Sequence, residues 1–182
     1  MTAEARPEHR GQALVVGGSG MLAGLCRSLA ADGWRVTVVG RDRAKLAGAT
    51  AADARLHPLS VDYEDVAAFA AALAAATAAR GPITLAVCWI RSWAPQSLLA
   101  AADAVAVGGR LFHVLGSQAS EVSAGVIAEL GARRELHYRR VQLCAVGDAT
   151  HQRWLTDAEI SDGVYAAIAA DRPYDLVGTV AP

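Results

Sequence analysis

Short β-strand patterns alternate with helix patterns along the whole chain, and this alternation constrains the fold more than any other feature. Residues 13–16 form a wholly apolar run that leads into glycines, which is typical of a strand buried on both faces. Residues 21–32 then carry apolar side chains at helical spacing, and Gly33 ends that segment. The same succession of strand and helix continues to the C-terminal region.

The alternation predicts βαβ units, and therefore a mostly parallel sheet of six or seven strands with helices on both faces. The pair Thr156 and Glu159 forms a capping-box pattern that opens the last helix. The further predicted strands cover residues 35–39, 56–61, 83–90, 110–115, 136–146 and 176–180, and the further predicted helices cover residues 42–52, 63–79, 96–107, 120–130 and 156–170.

Composition limits the functions that such a fold can carry. The chain has 182 residues, of which 53% are hydrophobic and 19% charged, and these values predict one domain over residues 1–182 with a flexible tail at residues 1–10. The net charge is −1, so we expect no nucleic acid and no anionic membrane surface as partner. The longest apolar run, residues 66–76, is well short of the ~20 residues of a membrane span. With no signal-peptide pattern at the N-terminus, we expect a soluble, cytoplasmic protein.

The cysteines and histidines indicate no metal centre and no disulfide framework. The three cysteines are far apart in the sequence and form no C-x-x-C pair. The five histidines contain no i, i+4 pair. We therefore predict no metal ligands.

A glycine-rich turn joins the first strand to the first helix. Gly18, Gly20 and Ala23 satisfy the G-x-G-x-x-G/A pattern in the strand–turn–helix context that this pattern requires. Small residues allow a tight turn, close approach of a phosphate to the backbone, and close packing of helix on strand, and the N–H groups at the helix start bind a pyrophosphate. The alternative is a glycine-rich turn without a ligand.

The end of the second strand distinguishes between two dinucleotides. An NAD site usually carries Asp or Glu about 20 residues past the glycines, whereas this chain has Arg41 followed by Asp42 and Arg43. The guanidinium of Arg41 can bind a 2′-phosphate in a bidentate manner, and Ser19 can add a hydroxyl. The pattern favours NADP(H) over NAD(H). The alternative is that both arginines are solvated at a helix start which Asp42 caps.

Taken together, these segments resemble the short-chain dehydrogenase/reductase superfamily. The likeness rests on the turn at residues 17–24, on Gly40-Arg41-Asp42, and on Val61-Asp62 at the end of the third strand. The segments at residues 13–18, 110–117 and 153–156 are similar to a compact bacterial group of that superfamily. The resemblance implies a Rossmann fold, an oxidoreductase that acts on a small molecule, and a homo-oligomer. The cofactor-binding residues that the motifs and the resemblance indicate are Gly17, Gly18, Ser19, Gly20, Met21, Leu22, Arg41, Asp62, Tyr63, Trp89 and Ile90.

The chain departs from the superfamily at the catalytic site. The usual proton donor is a tyrosine in a Tyr-x-x-x-Lys pair on the helix after the fifth strand, where the lysine lowers the tyrosine pKa. Here the single lysine is Lys45, and neither residue type occurs between Ser117 and Glu135. The usual pair is therefore missing.

Two residues are candidates for the chemistry. Ser117 follows the fifth strand near the position of the superfamily's catalytic serine, and the alternative is a helix N-cap. Tyr138 lies in the sixth predicted strand, where Arg139 or Arg140 could depress its pKa, and the alternative is a half-buried strand residue. The apolar strand around His113 favours a hydrogen-bonded core histidine over a general acid.

The tryptophans at positions 89, 93 and 154 could gather at the carboxyl ends of the strands and line a pocket for a flat or apolar substrate, although packing explains them as well. Arg91 beside them could meet a carboxylate or the cofactor's phosphates. The sequence thus indicates an NADP(H)-dependent oxidoreductase with an atypical site that acts on a small carbonyl or imine. The alternatives are a non-catalytic NADP(H)-binding sensor and a non-redox enzyme, such as a cyclase or dehydratase, on the same fold.

Overall fold

The computed structural model describes residues 10–116, 124–133, 135–147 and 151–178. Its strands are β1 Gln12–Val16, β2 Arg35–Gly40, β3 Leu56–Ser60, β4 Ile83–Cys88, β5 Val105–Leu115, β6 His137–Leu143, β7 Val146–Gly147, β8 Gln152–Arg153 and β9 Tyr174–Val177. Its helices are α1 Ala23–Ala31, α2 Arg43–Thr50, α3 Val66–Arg80, α4 Pro95–Ala104, α5 Ala124–Ala132 and α6 Asp157–Ala170.

Seven strands form one sheet in the order β3-β2-β1-β4-β5-β6-β9, and every neighbouring pair in it is parallel. The predicted doubly wound Rossmann architecture is confirmed. Strands β7 and β8 form a separate antiparallel pair. The strand order reverses between β1 and β4, and ligands of such sheets bind beyond the carboxyl ends of the strands at that point.

Two apolar layers cover the sheet. Along β1, Ala13 and Val15 face one layer, while Leu14 and Val16 face the other, and all four are buried. Helices α1 and α6 supply the first layer with residues such as Leu25, Leu29, Ile160 and Val164. Helices α3, α4 and α5 supply the second with residues such as Phe69, Leu73, Leu98 and Leu130. These residues make β1 apolar on both sides, as expected for an interior strand of a covered parallel sheet.

Local signals in the sequence explain where several elements start. The capping box of α6 is confirmed: Thr156 Oγ1 accepts a hydrogen bond from the Glu159 N–H at 3.2 Å, and the Glu159 carboxylate accepts one from the Thr156 N–H at 2.8 Å. Pro58 lies within β3, which is an edge strand, so its missing N–H interrupts no ladder on the outer side.

Several predicted boundaries are wrong, including the start of β5, which lies at Val105 and not at residue 110. The fourth helix ends at Ala104 and not at residue 107, because Val105 already pairs with Ile83 at the start of β5, and the register then shifts before Arg110. The sixth strand ends at Leu143. The last strand begins at Tyr174, earlier than predicted. In each case strand pairing, which local sequence does not show, determined the boundary. Among the described residues, no helix is long and apolar enough to cross a membrane.

Candidate functional site

The glycine turn after β1 is tightly packed on one side and open on the other. Gly17 has a φ of +88°, and its N–H donates to the Val39 carbonyl at 3.1 Å. A methyl group on Gly18 would lie 2.7 Å from Cys26 Sγ, so only glycine allows this turn to pack against α1. The nearest atom to a methyl group on Gly20 would be 3.9 Å away, so the backbone there is open to a ligand.

Several N–H groups of this turn are available to a ligand. Within the described residues, the backbone N–H groups of Ser19, Met21 and Leu22 donate to no protein acceptor. They precede α1, whose N-cap residue provides no side-chain hydrogen bond. Unpaired N–H groups at a helix start favour an anion, both as donors and through the helix dipole.

A cavity of about 500 Å³ lies at the carboxyl ends of β1, β2, β3 and β4. It spans the point where the strand order reverses. Its lining includes these predicted cofactor residues: Gly17, Ser19, Gly20, Met21, Arg41, Tyr63 and Trp89.

The other predicted cofactor residues lie beside the cavity and do not line it. Gly18 faces the packing between turn and helix, and Leu22 is fully buried. Ile90 is also buried among the residues of the second layer. Asp62 lies between two lining residues, where its Oδ1 accepts a hydrogen bond from the Glu64 N–H at 3.0 Å.

Cationic side chains collect at the end of β2. The guanidinium of Arg41, whose side chain is 70% exposed, lies 3.5 Å from the Asp62 carboxylate. Lys45 lines the same end of the cavity. A methyl group on Gly40 would lie 2.6 Å from Ser19 Oγ, so the hydroxyl sits directly against the end of β2.

Asp42 caps α2. Its Oδ1 accepts hydrogen bonds from the N–H groups of Ala44 and Lys45 at 2.9 and 3.0 Å. These bonds, chiefly that from Lys45, lower the pKa of the Asp42 carboxyl. One oxygen of the carboxylate thus caps the helix start, as the sequence alternative had it, while Arg41 and Asp42 both line the cavity.

Trp89 forms the opposite wall of the cavity. The backbone N–H of Trp89 donates a hydrogen bond to the Val16 carbonyl at 3.1 Å, and this bond extends the pairing of β1 and β4 by one residue. A methyl group on Gly17 would lie 3.1 Å from Trp89 Cβ, and one on Gly116 would lie 3.5 Å from its ring. The indole is therefore held at the ends of β1, β4 and β5.

Arg91 and Trp93 continue this wall and also line the cavity. The Arg91 guanidinium carbon lies 6.0 Å from the centre of the Trp89 ring and 5.2 Å from that of Trp93. Trp154, the third tryptophan that was predicted to gather here, is not among the described residues that line the cavity.

A buried histidine connects three strands next to this site. His113, only 1% exposed, has its Nε2 2.9 Å from the Ile90 carbonyl oxygen and its Nδ1 3.2 Å from Tyr138 Oη. A carbonyl only accepts, so Nε2 carries the proton and Nδ1 accepts from the tyrosine O–H. Burial lowers the pKa of His113 to about 4, and the ring is neutral at pH 7.

The two predicted catalytic residues fare differently. Ser117 lies outside the described residues, so its role stays a prediction. Tyr138 packs against the second layer and does not line the cavity among the described residues. Burial raises its pKa to about 12, although Arg140 acts in the opposite direction. In this structure the Tyr138 hydroxyl is a hydrogen-bond donor to His113.

The sequence reasoning missed Lys45 and Glu64 on the cavity. Lys45 lies four residues past Arg41 and just inside α2, where a long side chain can reach back over the strand end. A basic residue at that spacing was the available signal. Glu64 carried none, since its position depends on where β3 ends beside β2. Among the described residues, no group of three His, Cys, Asp or Glu could hold a metal ion.

Solved structures match this fold over nearly the whole chain. A short-chain dehydrogenase/reductase from Serratia marcescens BCRC 10948 is 17% identical, with a TM-score of 0.67 over 94% of this chain and 97% of that chain. A metagenomic short-chain oxidoreductase in complex with NADP is 18% identical, with a TM-score of 0.66 over 97% and 100%. A short-chain dehydrogenase/reductase family oxidoreductase from Aeromonas hydrophila is 16% identical, with a TM-score of 0.70 over 94% and 100%.

These likenesses define the class of fold: the chain has the fold of the short-chain dehydrogenases/reductases, as the sequence resemblance implied. No protein-family model matches the sequence, and no curated protein matches it either. The activity of the chain must therefore be argued from its own site.

Proposed function

We propose that this protein binds NADP(H) and transfers a hydride to or from a small carbonyl or imine substrate. One observation carries the proposal: a single cavity connects Ser19, Arg41 and Lys45 at the end of β2 with Trp89 at the end of β4, across the glycine turn. A dinucleotide in an open α/β sheet lies across this point.

The end of β2 suits a 2′-phosphate. Arg41 offers a planar fork of N–H donors, Lys45 a second positive charge and Ser19 a hydroxyl. Asp42, the acid nearest to this point in sequence, caps α2 through its Oδ1, and Arg41 and Lys45 place two positive charges beside it. This arrangement supports NADP(H) over NAD(H).

The glycine turn suits a pyrophosphate. The N–H groups of Ser19, Met21 and Leu22 are donors without a partner among the described residues, and Gly20 leaves its backbone uncovered. No side chain is needed for this contact, because the backbone itself supplies the hydrogen bonds. The residues of the cavity thus fit the charge of the whole dinucleotide.

A bound nicotinamide would supply or accept the hydride, so the protein has to orient it and polarise the substrate. Trp89, held by its backbone hydrogen bond and packed close to Gly17, limits the cavity on that side. We propose Ser117 as the hydrogen-bond donor to the substrate carbonyl. Tyr138 is not proposed as the proton donor, because its hydroxyl is donated to buried His113. An iminium substrate needs no such donor, since it arrives protonated.

A second candidate is a non-catalytic NADP(H)-binding regulatory protein. The specific observation in its favour is the absence of the Tyr-x-x-x-Lys pair, together with the engagement of Tyr138 away from the cavity. Such a protein would share the binding site argued above and differ only in turnover.

Calorimetric titration with NADPH and NADH tests cofactor binding. We expect the variant Arg41→Ala to weaken the binding of NADPH by about 1.5–3 kcal/mol, which is the contribution of a charged hydrogen-bond pair. The binding of NADH should stay unchanged. Arg27→Ala is the matched control, since Arg27 is an exposed arginine of α1 that does not line the cavity. Absence of binding by either nucleotide at millimolar concentration would overturn the proposal and leave the non-redox alternative.

Steady-state oxidation of NADPH then separates the two candidates. A panel of small ketones, aldehydes and cyclic imines is offered to protein whose NADPH affinity is known. Turnover with imines and not with ketones is expected if the missing pair is decisive. Tight NADPH binding without turnover on the whole panel would favour the regulatory protein.

The proposal includes a homo-oligomer in the cytoplasm, as the resemblance and the sequence composition predict. Sedimentation velocity measures the assembly directly. A monomer at micromolar concentration would contradict that part of the proposal and leave cofactor binding untouched.

A further inference from the structure

The guanidinium of Arg91 lies near two indole rings at one end of the cavity. Its guanidinium carbon lies 6.0 Å from the Trp89 ring centre and 5.2 Å from the Trp93 ring centre. All three residues line the cavity. The segment that carries them follows β4 directly, so a hydrogen-bonded strand end sets its position.

Core packing does not account for Trp93. It is 67% exposed, the more exposed of the two tryptophans classed as exposed among the described residues. A large aromatic ring in water is an unused apolar surface, and a planar ligand that covers it gains the burial of that surface. The ring also lies beside the exposed Arg91 guanidinium, so a group with an apolar face and an anionic edge can contact both.

The guanidinium of Arg91 has donors to offer. Among the described residues, no ion pair and no side-chain hydrogen bond engages it, whereas Arg41 is paired with Asp62. Two acids line the cavity, Asp42 and Glu64, and among the described residues neither is paired with Arg91. A carboxylate would meet the guanidinium fork with two parallel hydrogen bonds.

Arg91 lies on the other side of the glycine turn from the cations at the end of β2. Strand β1 stands between β2 and β4, and the spacing of neighbouring strands is about 4.8 Å. The end of β4 is therefore about two strand spacings from Arg41, about 10 Å. A 2′-phosphate at the end of β2 therefore does not reach Arg91.

We propose that Trp89, Arg91 and Trp93 bind a planar conjugated carboxylate, with the carboxylate on the Arg91 guanidinium and the ring system against Trp93. This ligand is then the substrate, an assignment that rests on the proposed function. It is an aromatic or conjugated acid whose carbonyl or imine group faces the nicotinamide end of the cavity. The binding step itself needs no cofactor and can be measured alone.

The test compares three probes that differ in one property each. 2-Naphthoate is planar and anionic, 2-naphthamide is planar and neutral, and decalin-2-carboxylate is anionic and not planar. We expect naphthoate to bind at least about tenfold more tightly than either of the others in calorimetric titrations, since each loses one of the two recognition elements. Titrations are made with and without saturating NADPH.

Variants assign the two elements to residues. Arg91→Gln should reduce the affinity for naphthoate to that for naphthamide and leave the affinity for naphthamide unchanged. The control Arg27→Gln should change neither affinity. Trp93→Ala should weaken the binding of naphthoate and of naphthamide by the same factor. Trp93→Phe should retain most of the wild-type affinity because it keeps an aromatic face.

Two outcomes would overturn the inference. If Arg91→Gln leaves the preference for naphthoate intact, the carboxylate binds elsewhere. If Arg91→Gln weakens NADPH as much as Arg41→Ala does, Arg91 contacts the cofactor and not a second ligand. Failure of the proposed function looks different: NADPH does not bind, while naphthoate still binds in a manner that depends on Arg91.

Discussion

Tyr138 Oη lies 3.2 Å from His113 Nδ1, and this contact joins β6 to β5 from beneath the candidate site. The other ring nitrogen of His113 lies 2.9 Å from the carbonyl oxygen of Ile90, the residue that follows Trp89. A chain of hydrogen bonds thus runs from a tyrosine in the second apolar layer to the backbone of Ile90, between two residues that line the cavity. In this structure the Tyr138 hydroxyl thus supports the backbone beside the cavity through His113.

We expect Tyr138→Phe to lower the free energy of unfolding by about 1–3 kcal/mol, because it leaves the buried Nδ1 acceptor of His113 without a partner. Urea denaturation measures this loss. If Tyr138 only positions the cavity wall, kcat/KM for NADPH should fall by the same factor as the affinity for NADPH. A hundredfold loss of kcat at unchanged stability and NADPH affinity would instead make it the proton donor.

Stability should fall as the pH is lowered from neutral through the range of His113. Burial lowers the pKa of His113 from 6.5 to about 4 in the folded protein, so the unfolded chain takes up the proton first. The stabilisation is therefore complete above pH 6.5, declines between about pH 6.5 and pH 4, and amounts to about 3 kcal/mol.

Urea midpoints of the wild-type protein and of His113→Phe, measured between pH 4 and pH 8, test this dependence. The variant has no titrating group at position 113. The pKa of His57 is also lowered by partial burial and changes stability in the same direction, so the difference between the two proteins is the informative quantity. Parallel pH profiles would show that His113 is not the group responsible.

Two glycines of the turn should respond differently to alanine. Gly18→Ala places a methyl group 2.7 Å from Cys26 Sγ and 2.8 Å from Val38 Cγ1, and we expect a loss of about 1–3 kcal/mol from overpacking. Gly20→Ala meets nothing closer than 3.9 Å, so its stability should change by less than about 0.5 kcal/mol.

NADPH titration of the same pair completes this prediction. Gly20→Ala should weaken the cofactor, because a methyl group then stands where a phosphate approaches the backbone. Stable, folded Gly20→Ala with wild-type affinity for NADPH would contradict the placement of the pyrophosphate at this turn.

The three thiols should react at different rates. Burial raises the pKa of Cys26 and of Cys88 to about 12, and both side chains are shielded from solvent, whereas Cys144 is partly exposed. We expect one thiol per folded chain to react with iodoacetamide near pH 8, and none in Cys144→Ser. Rapid modification of a second thiol in the native protein would contradict the packing of the turn and of β4.

Local sequence patterns predicted most elements because each depends on neighbours along the chain. The apolar run of β1, the glycine turn and the capping box of α6 are local features with one physical meaning each. The boundary between α4 and β5 was missed because the pairing of Val105 with Ile83, a contact between distant segments, overrides the helical pattern that precedes it.

Sequence alone determined the doubly wound sheet, the turn at Gly17–Gly20 and the basic residue at the end of β2, since periodicity, glycine geometry and residue order are local properties of a chain. Only the tertiary structure decided which side chains share a cavity. It placed Lys45, Arg91 and Trp93 there and turned the Tyr138 hydroxyl towards His113. The physical reason is that strand order and register bring distant residues together, and these depend on how the whole sheet pairs and packs.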